Sequence, residues 1–322
     1  MKRVISGAVS LACLLLAGAP AMAQQVKPGC TDNSRACMIR AATAYFDALV
    51  THDASRVPFA ADVRRTEQGH VTASGKQEIR EHTKTQPDMR GRHNTRFWVD
   101  EETHNVVGHT LIRVLPDAEK ADPARKSIAV SEPRTGHIFE RFKVEGGLIR
   151  EIEAIFHLEK GTLEGQSGWP DDGLARPVGA GTPQIKPPCT DNSRACLIGA
   201  AKSYLDNIVR ADGSKTLLAP NVRRTVNGHI IDGEAALRAD MNHEPPISRH
   251  YNTRYFVDRE TATVIAFTLM SVPPGEAAGP RGNTSHLAER YTMQGGLITE
   301  IEGLFYLEDG NLNGISNWPD EK

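Results

Sequence analysis

The sequence predicts an α+β protein built from one unit written twice, and three observations carry that prediction. Residues 25–70 and 184–229 align without gaps, with 26 identities in 46 positions. Each copy opens on a Cys-x6-Cys pair, Cys30 with Cys37 and Cys189 with Cys196. Each then passes from helical periodicity to a run of alternating strands, the last of them turned by Gly146-Gly147 or Gly295-Gly296. A repeat of about 150 residues is domain-sized, so it reads as a tandem duplication and not as a solenoid.

The elements follow in chain order. Lys2 and Arg3, the apolar stretch Ile5–Leu16 and the Ala21-Met22-Ala23 site predict a signal peptide over 1–23, hence a periplasmic or secreted chain starting near Gln24. Cys13 does not read as a lipid anchor, because Ser10 stands where a large aliphatic residue is expected. The first copy is expected over 24–171, a Gly/Pro/Ala-rich linker over 172–188, and the second copy over 189–322. Met38, Ile39, Ala42, Tyr45, Phe46, Leu49 and Val50 keep helical spacing, with Asp32, Asn33 or Ser34 as N-cap. Leu197, Ile198, Ala201, Tyr204, Leu205, Ile208 and Val209 repeat that stripe. A short helix is expected after Asp53 and Asp212, a strand over 62–67 and a third helix near 76–83. Strands over 94–100, 105–115, 137–144 and 148–158 complete the copy.

Composition excludes several classes of function. Of 322 residues, 38 are Lys or Arg and 40 are Asp or Glu, without basic blocks, which argues against nucleic-acid partners. No apolar run reaches the roughly 18–20 residues of a spanning helix, so no membrane partner is expected once the signal is removed. There is no nucleophile elbow, P-loop, His-Glu-x-x-His or dinucleotide fingerprint, and the histidines lack ligand spacing. No cofactor and no metal is therefore expected. Four cysteines outlast signal removal and allow three pairings; the repeat favours Cys30–Cys37 and Cys189–Cys196.

The order of elements, with "DVRRTEQG" closing the first strand and "GGLIREIEAIF" the last, resembles a SnoaL-like domain of the nuclear transport factor 2-like superfamily. The resemblance covers nearly all of each copy. It implies two tandem cones, each with about three helices packed on a curved, mostly antiparallel sheet, and a pocket at the wide end. Such folds host isomerases, cyclases, dehydratases, epoxide hydrolases and plain binding modules, so the resemblance names no reaction. It also suggests that the fused copies imitate a dimer.

Strand parity nominates the site. Arg65 shares a face with Val63, and Arg224 with Val222 and Val226. Glu140 lies among Ile138, Phe142 and Val144, and Glu289 among Leu287, Tyr291 and Met293. A charged couple inside each cone is expected, Arg65–Glu140 and Arg224–Glu289, serving either as a structural ion pair or as acid–base machinery. His70 and His229, just after the first strand, are candidate bases or simple turn residues. Asn94, Arg96 and Trp98, with Asn252, Arg254 and Phe256, offer a ligand-binding strand face or an outer face covered by the other copy. His109, where the second copy has Phe267, is either a satisfied core histidine or a sign that the first copy holds the functional pocket. Two functions remain open: a module binding a small, partly apolar molecule, or a cofactor-independent isomerase, dehydratase or lyase.

Overall fold

A computed structural model describes residues 29–116, 130–161, 177–227, 229–243, 246–275 and 278–310. The expected signal peptide, the start of the linker at 172–176, and the ends of both copies with Trp169 and Trp318 lie outside these residues. The first copy comprises α1 (Arg35–Thr51), β1 (Phe59–Glu67), β2 (His70–Ser74), α2 (Lys76–Lys84), β3 (Asp88–Asp100), β4 (Asn105–Leu115), β5 (Arg134–Glu145) and β6 (Leu148–Lys160). The second comprises α3 (Arg194–Arg210), β7 (Leu218–Val226), β8 (His229–Asp232), α4 (Glu234–Met241), β9 (Arg249–Asp258), β10 (Thr263–Val272), β11 (Asn283–Gln294) and β12 (Leu297–Asp309). Each copy forms a six-stranded sheet, ordered β2-β1-β6-β5-β4-β3 and β8-β7-β12-β11-β10-β9. Among the described residues only the β1–β6 and β7–β12 ladders are parallel. This α+β arrangement in duplicate is the one implied by the SnoaL-like resemblance.

Local chemistry sets the helices. Ser34 Oγ accepts from the Cys37 amide at 3.4 Å and Ser193 Oγ from the Cys196 amide at 3.3 Å, so a serine caps each long helix. Disulfides Cys30–Cys37 and Cys189–Cys196 tie the incoming chain to the first turn of α1 and α3. Met38, Ala42, Tyr45, Phe46 and Leu49 form the buried face of α1, against the sheet. Gly108 on β4 permits that approach, because a Cβ there would run into the Phe46 ring. No described helix is long and apolar enough to cross a membrane.

Two local expectations change. The chain after Asp53 is a turn, in which Asp53 Oδ1 accepts from the Ser55 amide at 2.8 Å; its twin is a single 3-10 turn, Gly213–Lys215, capped by Asp212. Strand β3 starts at Asp88 and not at Asn94, because Asn94 sits in a bulge with φ of 49° that breaks the alternation. Asn252 repeats this in β9 with φ of 50°.

Each sheet is covered on both faces. Val106, Ile112, Ile138 and Phe142 face α1, while Val107, Leu111 and Phe139 face the other sheet. There they meet Phe256, Ile265, Phe267 and Leu269 of the second copy, so the two sheets pack back to back. Double coverage explains why β4 and β10 are buried along nearly their whole length and not at alternate residues. The helix faces, each with its own cavity, point away from this seam.

The short disulfide loops generate a stability prediction. With a sequence separation of 7, loop-closure entropy assigns about 2.5 kcal/mol to each bridge. A Cys30→Ser/Cys37→Ser chain should lose about that much in urea unfolding, and the Cys189→Ser/Cys196→Ser chain a similar amount. A loss well below about 1 kcal/mol in both contradicts the assignment.

Candidate functional site

The charged couple in the first copy is built by β1, β5 and α1. A bulge after Arg65 and the pleat of β5 turn Arg65 and Glu140 to the α1 side, both almost fully buried. Arg65 Nη2 lies 3.6 Å from Glu140 Oε1, and its Nη1 lies 2.6 Å from Glu67 Oε2. Its Nε donates to Tyr45 Oη and its Nη1 to Thr72 Oγ1, both at 2.8 Å. His82 Nε2, 3.1 Å from Arg65 Nη1, must accept, since a guanidinium only donates. Burial pushes the Glu140 carboxyl up, and Arg65 offsets only part of that, leaving it at about 7. Burial likewise pushes the Tyr45 hydroxyl up. The enclosed cavity is about 30 Å³, the share of one water molecule.

The second copy uses the same positions differently. Arg224 Nη1 pairs with Asp240 Oδ2 at 2.6 Å, Asp240 standing where the first copy has His82. Tyr291 Oη donates to Glu289 Oε2 at 2.5 Å, and burial with that carboxylate alongside holds the phenol well above its ordinary range. The cavity here is about 170 Å³, walled by Ile208, Met270, Leu287 and Phe305, with Arg224 and Glu289 among its lining. The roomier chamber is therefore in the second copy and not in the first, where the His109/Phe267 difference had pointed.

The strand face nominated for ligand binding is the seam. The bulge at Asn94 aims Arg96 across to Glu302 of the other sheet, which also takes Arg290 Nε at 2.7 Å. Arg254 reciprocates on Glu153, held by Arg141 Nε at 2.8 Å. Each buried carboxylate is thus clamped by one guanidinium from its own sheet and one from the other. The guanidinium carbons of Arg96 and Arg290 each lie 5.4 Å from the Trp98 ring centre. His109 is fully buried beside Arg96 Nη2 at 3.0 Å; burial, then the nearby guanidinium, push its pKa well below 6.5, so it stays neutral. Asn94 and Asn252 hold the left-handed bulge positions. The structure places Arg96, Trp98, His109 and Arg254 between the sheets and in neither cone, the outer face covered by the other copy.

His70 and His229 also stand apart from the cones. Both are exposed on the short outer strands β2 and β8, and neither lines a cone cavity. His70 Nε2 contacts Glu308 Oε1 of the second copy at 2.8 Å, and Glu308 Oε2 also holds His286 at 2.8 Å. Sequence reasoning missed Arg141, Arg290, Glu153 and Glu302; the repeated Glu-Arg pairs 140–141 and 289–290 were the available signal. Among the described residues, the one grouping with metal-ligand spacing is Cys30, Asp32 and Cys37, whose sulfurs are spent in the disulfide.

Comparison with known proteins places this geometry in a family. Residues 31–156 and 190–305 each match the family model described as a domain of unknown function (DUF8021), and the chain belongs to that family. No curated protein matches it. Among solved structures, it is similar to an LEH-like epoxide hydrolase from M. tuberculosis (15% identity, 35% of this chain and 84% of that one, TM-score 0.30). It is also similar to NTF2-like proteins of unknown function from Cytophaga hutchinsonii (10% identity, 35% and 97%, TM-score 0.29) and Burkholderia xenovorans (13% identity, 39% and 95%, TM-score 0.29).

Two pH dependences follow, with opposite signs. Burial opposes ionisation of Glu302, but Arg96 and Arg290 outweigh it and hold the carboxyl at about 2, below its ordinary 4.5. Its contribution is present above about 4.5 and is lost as pH falls through about 2. Glu302→Gln should cost about 3–5 kcal/mol at neutral pH, because buried Arg96 loses its anion and Arg290 keeps only Glu300. Trp98 fluorescence in urea reports it, and a loss under about 1 kcal/mol contradicts the clamp.

Glu140 runs the other way, its pKa of about 7 lying above the ordinary 4.5. The stability gained by keeping it protonated is full below about 4.5 and is lost as pH rises through about 7. Glu140→Gln should flatten that decline and leave the variant the more stable protein at about pH 8. Identical urea midpoints for the two proteins across that range contradict it.

Proposed function

We propose that this chain is an exported protein that binds a small, partly apolar molecule inside a cone, with its copies spanning 24–171 and 189–322 around a linker at 172–188. The observation that carries the reading is the apolar chamber of about 170 Å³ into which Arg224 and Glu289 are built. Concave apolar walls with a few convergent polar groups are the usual makeup of a small-molecule site. Export is supported by the signal-like residues 1–23 and by two disulfides, which persist in oxidising compartments.

A second reading, acid–base catalysis without a cofactor, is favoured by Glu140 alone. A carboxyl at about 7 next to Tyr45 and Arg65 is poised to give or take a proton near neutrality. Its cavity of about 30 Å³ admits no organic substrate as it stands, which is why binding is preferred.

Screening the purified chain for thermal stabilisation by a library of small metabolites tests the proposal. A ligand present at about 100 times its Kd should add about 2.7 kcal/mol to the native state. Failure of every small apolar compound to move the unfolding midpoint sinks the binding reading. A hit that is also turned over, with turnover lost in Glu140→Gln or Glu289→Gln, moves the assignment to an enzyme.

A further inference from the structure

We infer that the two cones have divided their labour, the second serving as the ligand chamber and the first as a filled brace; this rests on the small-molecule reading above. Equivalent positions show how the change was made. Phe46 of α1 answers to Leu205 of α3, and Phe59 of β1 to Leu218 of β7, so aromatic volume is replaced by aliphatic. Glu67 in the first cavity wall answers to Val226, which removes a carboxylate. Ala154 answers to Gly303, where an added Cβ would lie 3.0 Å from Glu289 Oε1 and 3.4 Å from Val226 Cγ2. Glu67 and Ala154 line the first cavity, so the last two differences remove charge or volume at the wall itself. The two aromatic replacements lie in the core behind it, and Ser285 in place of Gly136 is the one wall change that adds a side chain. In the first cone, Arg65 is occupied by Tyr45, Glu67, Thr72, His82 and Glu140. Cavities of about 30 and 170 Å³ are the outcome.

The chamber selects a chemical class. Along β11, Asn283, Ser285, Leu287 and Glu289 point inward in sequence, half-buried at Asn283 and almost fully buried at Glu289. Leu307, 48% exposed, marks the mouth, and the path from Ser285 to Glu289 is about 13 Å at strand spacing. Its volume is slightly above the roughly 150 Å³ that admits benzene, so the occupant is ring-sized. Asp240 and Glu289 oppose an added anion, and Arg224 opposes an added cation. Met270, Leu287 and Phe305 favour an apolar body, while Arg224 and Glu289 reward one hydroxyl or carbonyl oxygen on it. The occupant is thus an uncharged, ring-sized molecule with a single polar oxygen.

Isothermal titration of the purified chain with 4-methylphenol and cyclohexanone, and with benzoate and benzylamine as charged controls, tests this. One neutral probe should saturate at one site per chain and bind at least tenfold more tightly than either charged control. Leu287→Phe should weaken that probe at least tenfold, and the milder Gly303→Ala at least threefold. Ile138→Phe, the matching change in the first cone, should leave its Kd within twofold. Circular dichroism and the unfolding midpoint of each variant establish that it is folded, and Gly303→Ala carries the test if Leu287→Phe is not. Two sites per chain, equal weakening by Ile138→Phe, or preference for a charged probe overturns the division of labour while leaving small-molecule binding intact. Absence of binding by every probe removes the small-molecule reading, and the inference with it.

Discussion

Two buried carboxylates, Glu153 and Glu302, set the terms for the rest of the molecule. Each lies where ionisation is heavily penalised, and each is kept ionised by two guanidiniums that come from different sheets. One partner alone would leave the desolvation cost poorly offset, so neither sheet is complete without the other. Charge of this kind adds little net stability over an apolar seam, but it tolerates no slippage. Moving one sheet past the other by a single residue would part Arg96 from Glu302 and Arg254 from Glu153 in a buried layer, leaving each carboxylate with its own sheet's guanidinium alone. The seam therefore fixes which face of each sheet is left for the helix and the cavity.

A second, outer set of contacts repeats the same logic at the strand ends. Asp258 Oδ2 takes both Arg35 Nη2 at 2.7 Å and the Val99 amide at 3.1 Å. Asp100 Oδ2 takes Arg194 Nη1 at 2.7 Å and the Val257 amide at 3.0 Å. Each copy thus completes the other's strand β3 or β9, and each sends an arginine from the start of its own long helix to do so. The helix that forms one wall of a cone is in this way braced by the opposite copy, which couples cone geometry to seam integrity.

The repeat, the long helices and most strands were legible because periodicity and turn chemistry are local properties. So was the Arg65–Glu140 couple, since a charge at apolar parity on β1 and β5 marks a buried face. Parity could not say which of two buried faces holds a cavity. Arg96 and Trp98 sit on a face more deeply covered than Phe97 on the α1 side, and neighbouring β4, buried along almost all its length, gives no alternation to tell its two faces apart. Glu153 was missed because Arg150, Glu151 and Glu153 make β6 look like a solvated edge, although only the first two reach water. His70 reads as a turn residue because β2 is five residues long, too short to display its own period.

Covalent fusion adds something that two separate chains cannot supply. In a symmetric dimer every substitution appears on both sides of the axis, so filling one pocket fills both. Within one chain, Glu67 and Val226, or Ala154 and Gly303, stand as different answers to the same position. The seam keeps its reciprocal form throughout these changes: Arg96–Glu302–Arg290 matches Arg254–Glu153–Arg141. The assembly contacts have held while the cone interiors diverged. That pattern is expected when the two-sheet assembly is needed for stability and one chamber suffices for the ligand, because a closed first cone still presents an intact sheet to the second.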